Sequence, residues 1–344
     1  MRALLVRLSA IGDVVHTLPV LAALRQRGYE VDWVVEPAAR PLIEGNPAVG
    51  RAIAAPPARA AGVPRAWLEA RGLRRDRHDL ALDLQGLWKS AAWARASGAR
   101  RVVGFAGPWR REPLSEMLLG VRVRLDPEPA HIIDKNLALL RALDIEAGGL
   151  REFPLPAAPA ETKRVGEQIT ANGWRDIAIL NPGGGWTSKL WPPASFGELA
   201  VGLASRGLLP VVTWGPGEKD CAEAVVAASD GKAQLCFPTT LLEFGELARR
   251  ARIAVAADTG PLHLGCAVGA PVVGVFGPTD PARNGPFGAG DITVRRQPLC
   301  SPCHRRRCST HDGVMAAIPP SEVLAAADRR LARAAAARPP ARAQ

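Results

Sequence analysis

Several short loops of this 344-residue chain hold residue types that could do chemistry together. In Ser9-Ala-Ile-Gly-Asp-Val-Val-His, Gly12 and Asp13 follow an apolar run, Leu4 to Leu8. A carboxylate at the opening of a helix faces the positive end of the helix dipole and could accept a proton from a hydroxyl. Gly12 beside it lets a substrate or another backbone approach closely. An aspartate in this position is also a common helix cap, so position alone leaves both readings open. In Asn181-Pro-Gly-Gly-Gly-Trp-Thr-Ser-Lys, Gly184 and its neighbours expose backbone N–H groups suited to phosphate oxygens, with Thr187 nearby and Lys189 as a point charge. The P-loop ending is missing, and a tight turn with a solvated lysine is the plain alternative. Asp258, Thr259 and Gly260 stand one helical turn before His263. They offer one ligand a carboxylate, a hydroxyl, N–H groups and an imidazole, a set that suits a diphosphate. The plain alternative is a capped helix with His263 in the core. Thr279, Asp280 and Arg283 form a further loop that is, by itself, an ordinary turn.

Strands must hold these loops. Leu4 to Leu8, Val31 to Val35, Leu80 to Leu84 and Arg101 to Phe105 read as four buried strands, with a helical pattern over Val14 to Arg27. The pattern stops in a Pro/Ala-rich linker, Arg151 to Ala160, and then restarts. Ile177 to Leu180, Leu209 to Trp214, Ile253 to Ala257 and Val272 to Phe276 each run into a glycine-bearing or acidic loop. Strands alternating with helices predict parallel sheets, and parallel sheets bind ligands at the carboxyl ends of their strands. Ser321 to Ala337 reads as a helix, followed by a disordered tail. The expected divisions are 1–155, 156–325 and a terminal segment, 326–344.

The composition, 47% hydrophobic and 22% charged, belongs to a globular protein and excludes a disordered one. No apolar run reaches the roughly 20 residues of a membrane span, and the start reads as a strand, so a cytoplasmic protein is expected. With 44 basic against 33 acidic residues the chain carries a formal charge of +11. That favours a polyanionic partner, although arginine-rich coding alone would produce it too. No nucleic-acid motif is visible, so nucleic acid is not the expected partner.

Five blocks in order, Gly12-Asp-Val-Val-His-Thr-Leu-Pro, Asp83-Leu-Gln-Gly-Leu-Trp-Lys-Ser, Trp214-Gly-Pro-Gly-Glu, Asp258-Thr-Gly-Pro-Leu-His-Leu and Phe276-Gly-Pro-Thr-Asp-Pro, resemble the ADP-heptose:lipopolysaccharide heptosyltransferases, glycosyltransferase family 9. Trp33-Val-Val-Glu and Arg111-Glu-Pro-Leu further resemble the branch that adds the first heptose. The resemblance implies an α/β GT-B fold, two Rossmann-like parallel-sheet domains facing across a cleft. Acceptor would bind the N-terminal domain and nucleotide sugar the C-terminal one. The implied reaction is a metal-independent, cofactor-free, inverting transfer of L-glycero-D-manno-heptose from ADP-heptose to Kdo-lipid A.

The resemblance assigns Asp13 as general base and Lys189 as the lysine on the donor diphosphate. It assigns Gly184, Thr187, Trp214, Gly215, Asp258, Thr259, Gly260 and His263 to the donor, with Glu218 or Lys219 at an acidic donor-sugar position. Gly12, Gln85, Lys89 and Arg111 fall to the acceptor. Arg59, Arg65, Lys89, Arg110 and Arg111 would suit an acceptor bearing carboxylates and phosphates, and a basic face would suit peripheral contact with an anionic inner membrane.

Cys221, Cys236 and Cys266 read as small buried residues. Cys300, Cys303 and Cys308, with His304 or His311, have a spacing that could hold zinc or an iron–sulfur cluster. Related type II transferases carry a further Cys where this chain has Met315, and free thiols are the expected state. Competing functions are addition of the second heptose or use of another acceptor, a nucleotide-sugar epimerase on the same fold, and a non-enzymatic nucleotide-sugar or iron–sulfur sensing module built on the cysteine cluster. An epimerase would have no use for a base at Asp13.

Overall fold

The computed structural model describes residues 1–56, 58–303 and 313–336, with only the backbone for 58–62. It divides into two compact units, Met1–Ala157 and Ala158–Gln344. The boundary lies in the Pro/Ala stretch, which carries no helix or strand until Pro159.

The N-terminal unit is built on six parallel strands: β1 (Arg2–Val6), β2 (Glu30–Val35), β3 (Arg51–Ala54), β4 (Leu80–Asp83), β5 (Arg101–Phe105) and β6 (Val121–Val123). Their order is β3-β2-β1-β4-β5-β6. The C-terminal unit repeats the plan with β7 (Ile177–Asn181), β8 (Leu209–Val212), β9 (Gln234–Leu235), β10 (Ile253–Ala257), β11 (Val272–Phe276) and β12 (Ile292–Arg295). Its order, β12-β11-β10-β7-β8-β9, is the same doubly wound arrangement. Central strands such as β7 and β10 are buried along their whole length, as strands covered on both faces must be. The four strands that the sequence does not signal, β3, β6, β9 and β12, are the four sheet edges.

The helical pattern expected over Val14 to Arg27 is two helices, Ile11–Val15 and Leu18–Gln26. Pro19 has no N–H to donate and its ring would collide with the preceding turn, so the helix restarts there. The last helix runs Pro320–Ala336, and Val323, Ala326 and Ala327 lie in the C-terminal core beside Trp191, Phe196 and Leu199. It is therefore part of that unit's core, where the sequence placed a separate terminal segment. The tail from 337, Cys308, His304 and His311 lie outside the described residues. No helix among the described residues is long and apolar enough to cross a membrane.

Candidate active site

In each sheet the strand order reverses once, between β1 and β4 and between β7 and β10. Loops leaving adjacent strands there turn to opposite faces and leave a crevice where ligands bind. The loops at these two points are the ones the sequence singles out: Asp13 and Gln85 in one unit, Lys189 and Asp258 in the other.

Asp13 sits in the first turn of helix Ile11–Val15. The N–H of Ala10 donates to its Oδ2 at 3.3 Å, so the capping role is present. Its Oδ1 accepts from Arg7 Nη2 at 2.8 Å, and the side chain remains 44% exposed. Cap and accessible carboxylate are thus the same residue. Sequence reasoning missed Arg7, which is buried, donates through Nη1 to the carbonyl of Leu84, and accepts Trp33 Nε1–H on its own carbonyl at 3.2 Å. The guanidinium therefore ties the end of β1 to the residue after β4 and to Asp13. Gln85 reinforces the junction, its Oε1 accepting the N–H of Leu8 at 2.7 Å. Gly12 is buried beneath this loop. Gly86 has φ +73, and a Cβ there would meet Arg110 Cα at 3.3 Å, so the loop packs too closely for a side chain.

The basic residues proposed for an anionic acceptor divide. Arg110 is excluded: its side chain and that of Asp83 are fully buried and paired at 2.5 Å, with Nε donating to Ser115 Oγ. A buried charge needs such a partner, and this one locks the loop after β5 to the end of β4. Lys89 is also largely committed, donating to Glu36 Oε1 at 3.2 Å and to the carbonyl of Pro56 at 2.5 Å. Arg65 pairs with Glu69 on the outside of its helix, while Arg111 is exposed. The side chain of Arg59 lies outside the described residues.

In the C-terminal unit Asp258 is the hub. Lys189 Nζ donates to its Oδ2 at 2.7 Å, Asn284 Nδ2 donates to the same oxygen at 3.2 Å, and His263 Nε2 lies 3.1 Å from its Oδ1. Burial pushes this carboxyl up, but the His263 hydrogen bond and the Lys189 charge outweigh it and hold it well below the usual range. Its oxygens are engaged within the protein, so its direct effect is to fix Lys189 and His263. Lys189 also lies 4.5 Å from the ring centre of Trp186. Thr259 precedes helix Gly260–Ala267, and a Cβ on Gly184 would come within 2.8 Å of Thr259 Cγ2, so the two loops touch. Thr187 is exposed at the rim of the glycine-rich loop.

Glu218 and Lys219 separate cleanly. Glu218 Oε2 accepts the N–H of Gly215 at 3.0 Å and stands where a Cβ on Gly183 would be, against the glycine-rich loop. Lys219 pairs with Glu223 one turn along its own helix. Trp214 donates its indole N–H to the carbonyl of Cys236. Asp280 caps helix Pro281–Asn284, which supplies Asn284 to the hub, and Arg283 is exposed. Thr279 is buried.

Burial pushes the Cys236 thiol up to about 12 and that of Cys266 well above its ordinary value. Cys221, expected to be buried, is half-buried; Cys300 is exposed and Cys303 intermediate. Among the described residues no group of three or more His, Cys, Asp or Glu side chains could hold a metal ion.

Two Rossmann-like units in tandem, with glycine-rich and acidic loops at their switch points, are the plan of the GT-B fold. The structure superposes on a family 9 glycosyl transferase from Veillonella parvula with a TM-score of 0.81, at 20% identity and covering 96% of this chain and 97% of that one. Lipopolysaccharide heptosyltransferase 1 of Pseudomonas aeruginosa is 31% identical over 90% of this chain and 88% of its own length. An Escherichia coli heptosyltransferase WaaC solved with ADP-2-deoxy-2-fluoro heptose is 25% identical, with a TM-score of 0.67 over 86% of this chain and 93% of that one. Glycosyltransferase family 9 (heptosyltransferase) matches residues 67–312, and the chain belongs to that family.

Proposed function

We propose that this chain transfers L-glycero-D-manno-heptose from ADP-heptose to the Kdo-lipid A inner core of lipopolysaccharide, with inversion and without metal or cofactor. The observation that carries the reading is the Asp13 carboxylate, half-exposed at a switch point and oriented by Arg7 and the Ala10 N–H. In this reading Asp13 accepts the proton of an acceptor hydroxyl as that oxygen attacks the anomeric carbon. The bond from that carbon to the diphosphate oxygen breaks, ADP leaves, and the proton passes from Asp13 to water. Lys189 and the N–H groups opening helix Gly260–Ala267 meet the charge that grows on the leaving diphosphate. Glu218 and Trp214 line the donor side, and Gln85 and Arg111 the acceptor side. The donor is supported by family membership and by the Escherichia coli relative that holds a fluorinated ADP-heptose. The first-heptose acceptor is supported by the likeness to lipopolysaccharide heptosyltransferase 1. Work at the cytoplasmic face of an anionic inner membrane is part of the same proposal.

The test is ADP release from ADP-heptose by the purified protein, with no acceptor, with heptose-free Kdo-lipid A, or with an acceptor already carrying one heptose. Each arm is repeated with a chelator and with Asp13→Asn. Release that needs the heptose-free acceptor, survives chelation and vanishes in the variant is expected. Release that ignores the acceptor, or persists in the variant, would overturn the reading, and preference for the heptosylated acceptor would move it to the second heptose.

A further inference from the structure

The loop after β5 carries a short 3-10 helix, Pro113–Leu118, whose two faces differ sharply. In such a helix side chains three apart eclipse one another, so Leu114 and Met117 share one face. They are 69% and 68% exposed. The opposite side is anchored: Ser115 is buried and accepts from Arg110 Nε at 2.9 Å, and Leu118 packs against the apolar core of the N-terminal unit. The apolar pair is thus held outward by a fixed base.

Cations flank it. Arg111 precedes the helix and is exposed, and Arg122 donates through Nε to the carbonyl of Glu116 at 3.3 Å, which sets its exposed guanidinium beside the pair. Arg124, two residues on, is exposed too. Both acids of the segment are occupied by backbone: Glu112 Oε2 accepts the N–H of Trp88 and Glu116 Oε2 that of Gly107, each at 2.6 Å. Along the sequence, residues 58–124 include fourteen basic and six acidic residues, but of the basic ones only Arg111, Arg122 and Arg124 are placed beside this face.

We propose that this face, Leu114 and Met117 rimmed by Arg111, Arg122 and Arg124, docks on an anionic lipid bilayer. Apolar tips that enter the acyl boundary beside cations that meet headgroups are the two components of interfacial binding. The Glu112 N–H donates to the carbonyl of Gly86, so the helix is tied to the loop that carries Gln85 and adjoins Leu84, the carbonyl that holds Arg7. Docking here brings the Asp13 end of the sheet to the membrane surface. That benefit rests on the lipid-linked acceptor proposed above; the binding itself does not.

The test is co-sedimentation of the full chain with vesicles of phosphatidylcholine alone or mixed with phosphatidylglycerol, at low and high salt. Wild type is expected to bind the anionic vesicles, and less so in salt. Leu114→Ser with Met117→Ser should weaken binding by about tenfold or more, and Arg122→Gln by about fivefold. Both variants should release ADP with a deacylated, water-soluble acceptor within about twofold of wild type. Equal binding to neutral vesicles, or undiminished binding by the double variant, would overturn the proposal. So would a dimeric wild type that the double variant turns monomeric, which would assign the face to a second copy. The vesicles contain neither donor nor acceptor. A protein that binds them but never transfers heptose would sink the proposed reaction and leave the surface standing.

Discussion

Arg7 and Asp13 form an ion pair at 2.8 Å in which the cation is buried and the anion is not, with side-chain exposures of 6% and 44%. Asp13 is the acid partner of Arg7 among the described residues, so removing it strands a buried charge. Asp13→Ala should therefore lose acceptor-dependent turnover by about 10²–10⁴-fold and also melt several degrees lower. Asp13→Asn keeps a side-chain oxygen for the Ala10 N–H and should lose as much activity with less loss of melting temperature. An Asp13→Asn enzyme with near-normal kcat would remove Asp13 from the chemistry.

Arg7 itself acts through Asp13, as a positioning residue. Arg7→Met should lower kcat by roughly 10–100-fold while the donor KM stays within about twofold, because a misaimed base slows the step without weakening binding. Arg7→Lys, with its charge kept, should recover part of the loss. Steady-state kinetics decide it: a defect confined to donor KM would be the wrong sign for this role.

Asp258 holds Lys189 and His263 from within. Asp258→Asn keeps the shape but removes the charge, and should cost about 3 kcal/mol, read as a lower melting temperature. Lys189→Met leaves the buried Asp258 carboxylate with only His263 and Asn284, so it too should lower the melting temperature, and it should cut transfer because its ammonium is the one proposed to meet the diphosphate. If ADP binding measured by calorimetry is unchanged in Lys189→Met, the lysine has another task.

Glu218 and Lys219 are neighbours in the chain and opposites in the fold. Glu218→Gln should raise the donor KM, whereas Lys219→Ala should leave it within about twofold, because Lys219 is paired with Glu223 away from the loop. Reversed effects in the same assay would reverse the assignment.

At the other end of the N-terminal sheet, Asp32 is buried among Arg2, Arg51 and His78, at 3.2, 2.7 and 2.9 Å. Burial raises its pKa, but hydrogen bonds from His78 and Arg51 and their charge bring it from 3.8 to about 2. A carboxyl depressed in the folded state gives stability that is full above its unfolded value and lost as pH falls through the folded one. The contribution, about 2–3 kcal/mol, should thus disappear between about pH 4 and pH 2. Acid-unfolding curves of wild type and Asp32→Asn should converge at the low end of that window; parallel curves would show that the cluster does not titrate there.

The legible strands and the hidden ones differ by burial. β1, β2, β4, β5, β7, β8, β10 and β11 have neighbours on both sides and are written as apolar runs, which any reading of the sequence detects. The edge strands β3, β6, β9 and β12 are two to four residues long and include Arg51, Arg122, Gln234 and Arg295, which solvent tolerates. Among the charges the sequence is mute on burial. Arg7 reads like any basic residue after a strand, and Arg110 like its exposed neighbour Arg111. Whether an arginine faces water or a carboxylate is settled by a partner 6 or 27 residues away.

The sequence by itself determined the alternation of strands and helices, the two-unit plan, and the loops at the strand ends where a ligand would meet Asp13, Lys189 and Asp258. Local spacing suffices for these, because hydrophobic runs and glycine turns act within a few residues. Only the tertiary structure decided that Asp13 is both cap and accessible carboxylate, that Arg110 is spoken for by Asp83, that Glu218 and not Lys219 meets the glycine-rich loop, and that Leu114 and Met117 face outward. The first three depend on which polar groups the fold brings within hydrogen-bonding distance, and the last on which side of a short helix is packed against the core; spacing along the chain specifies neither.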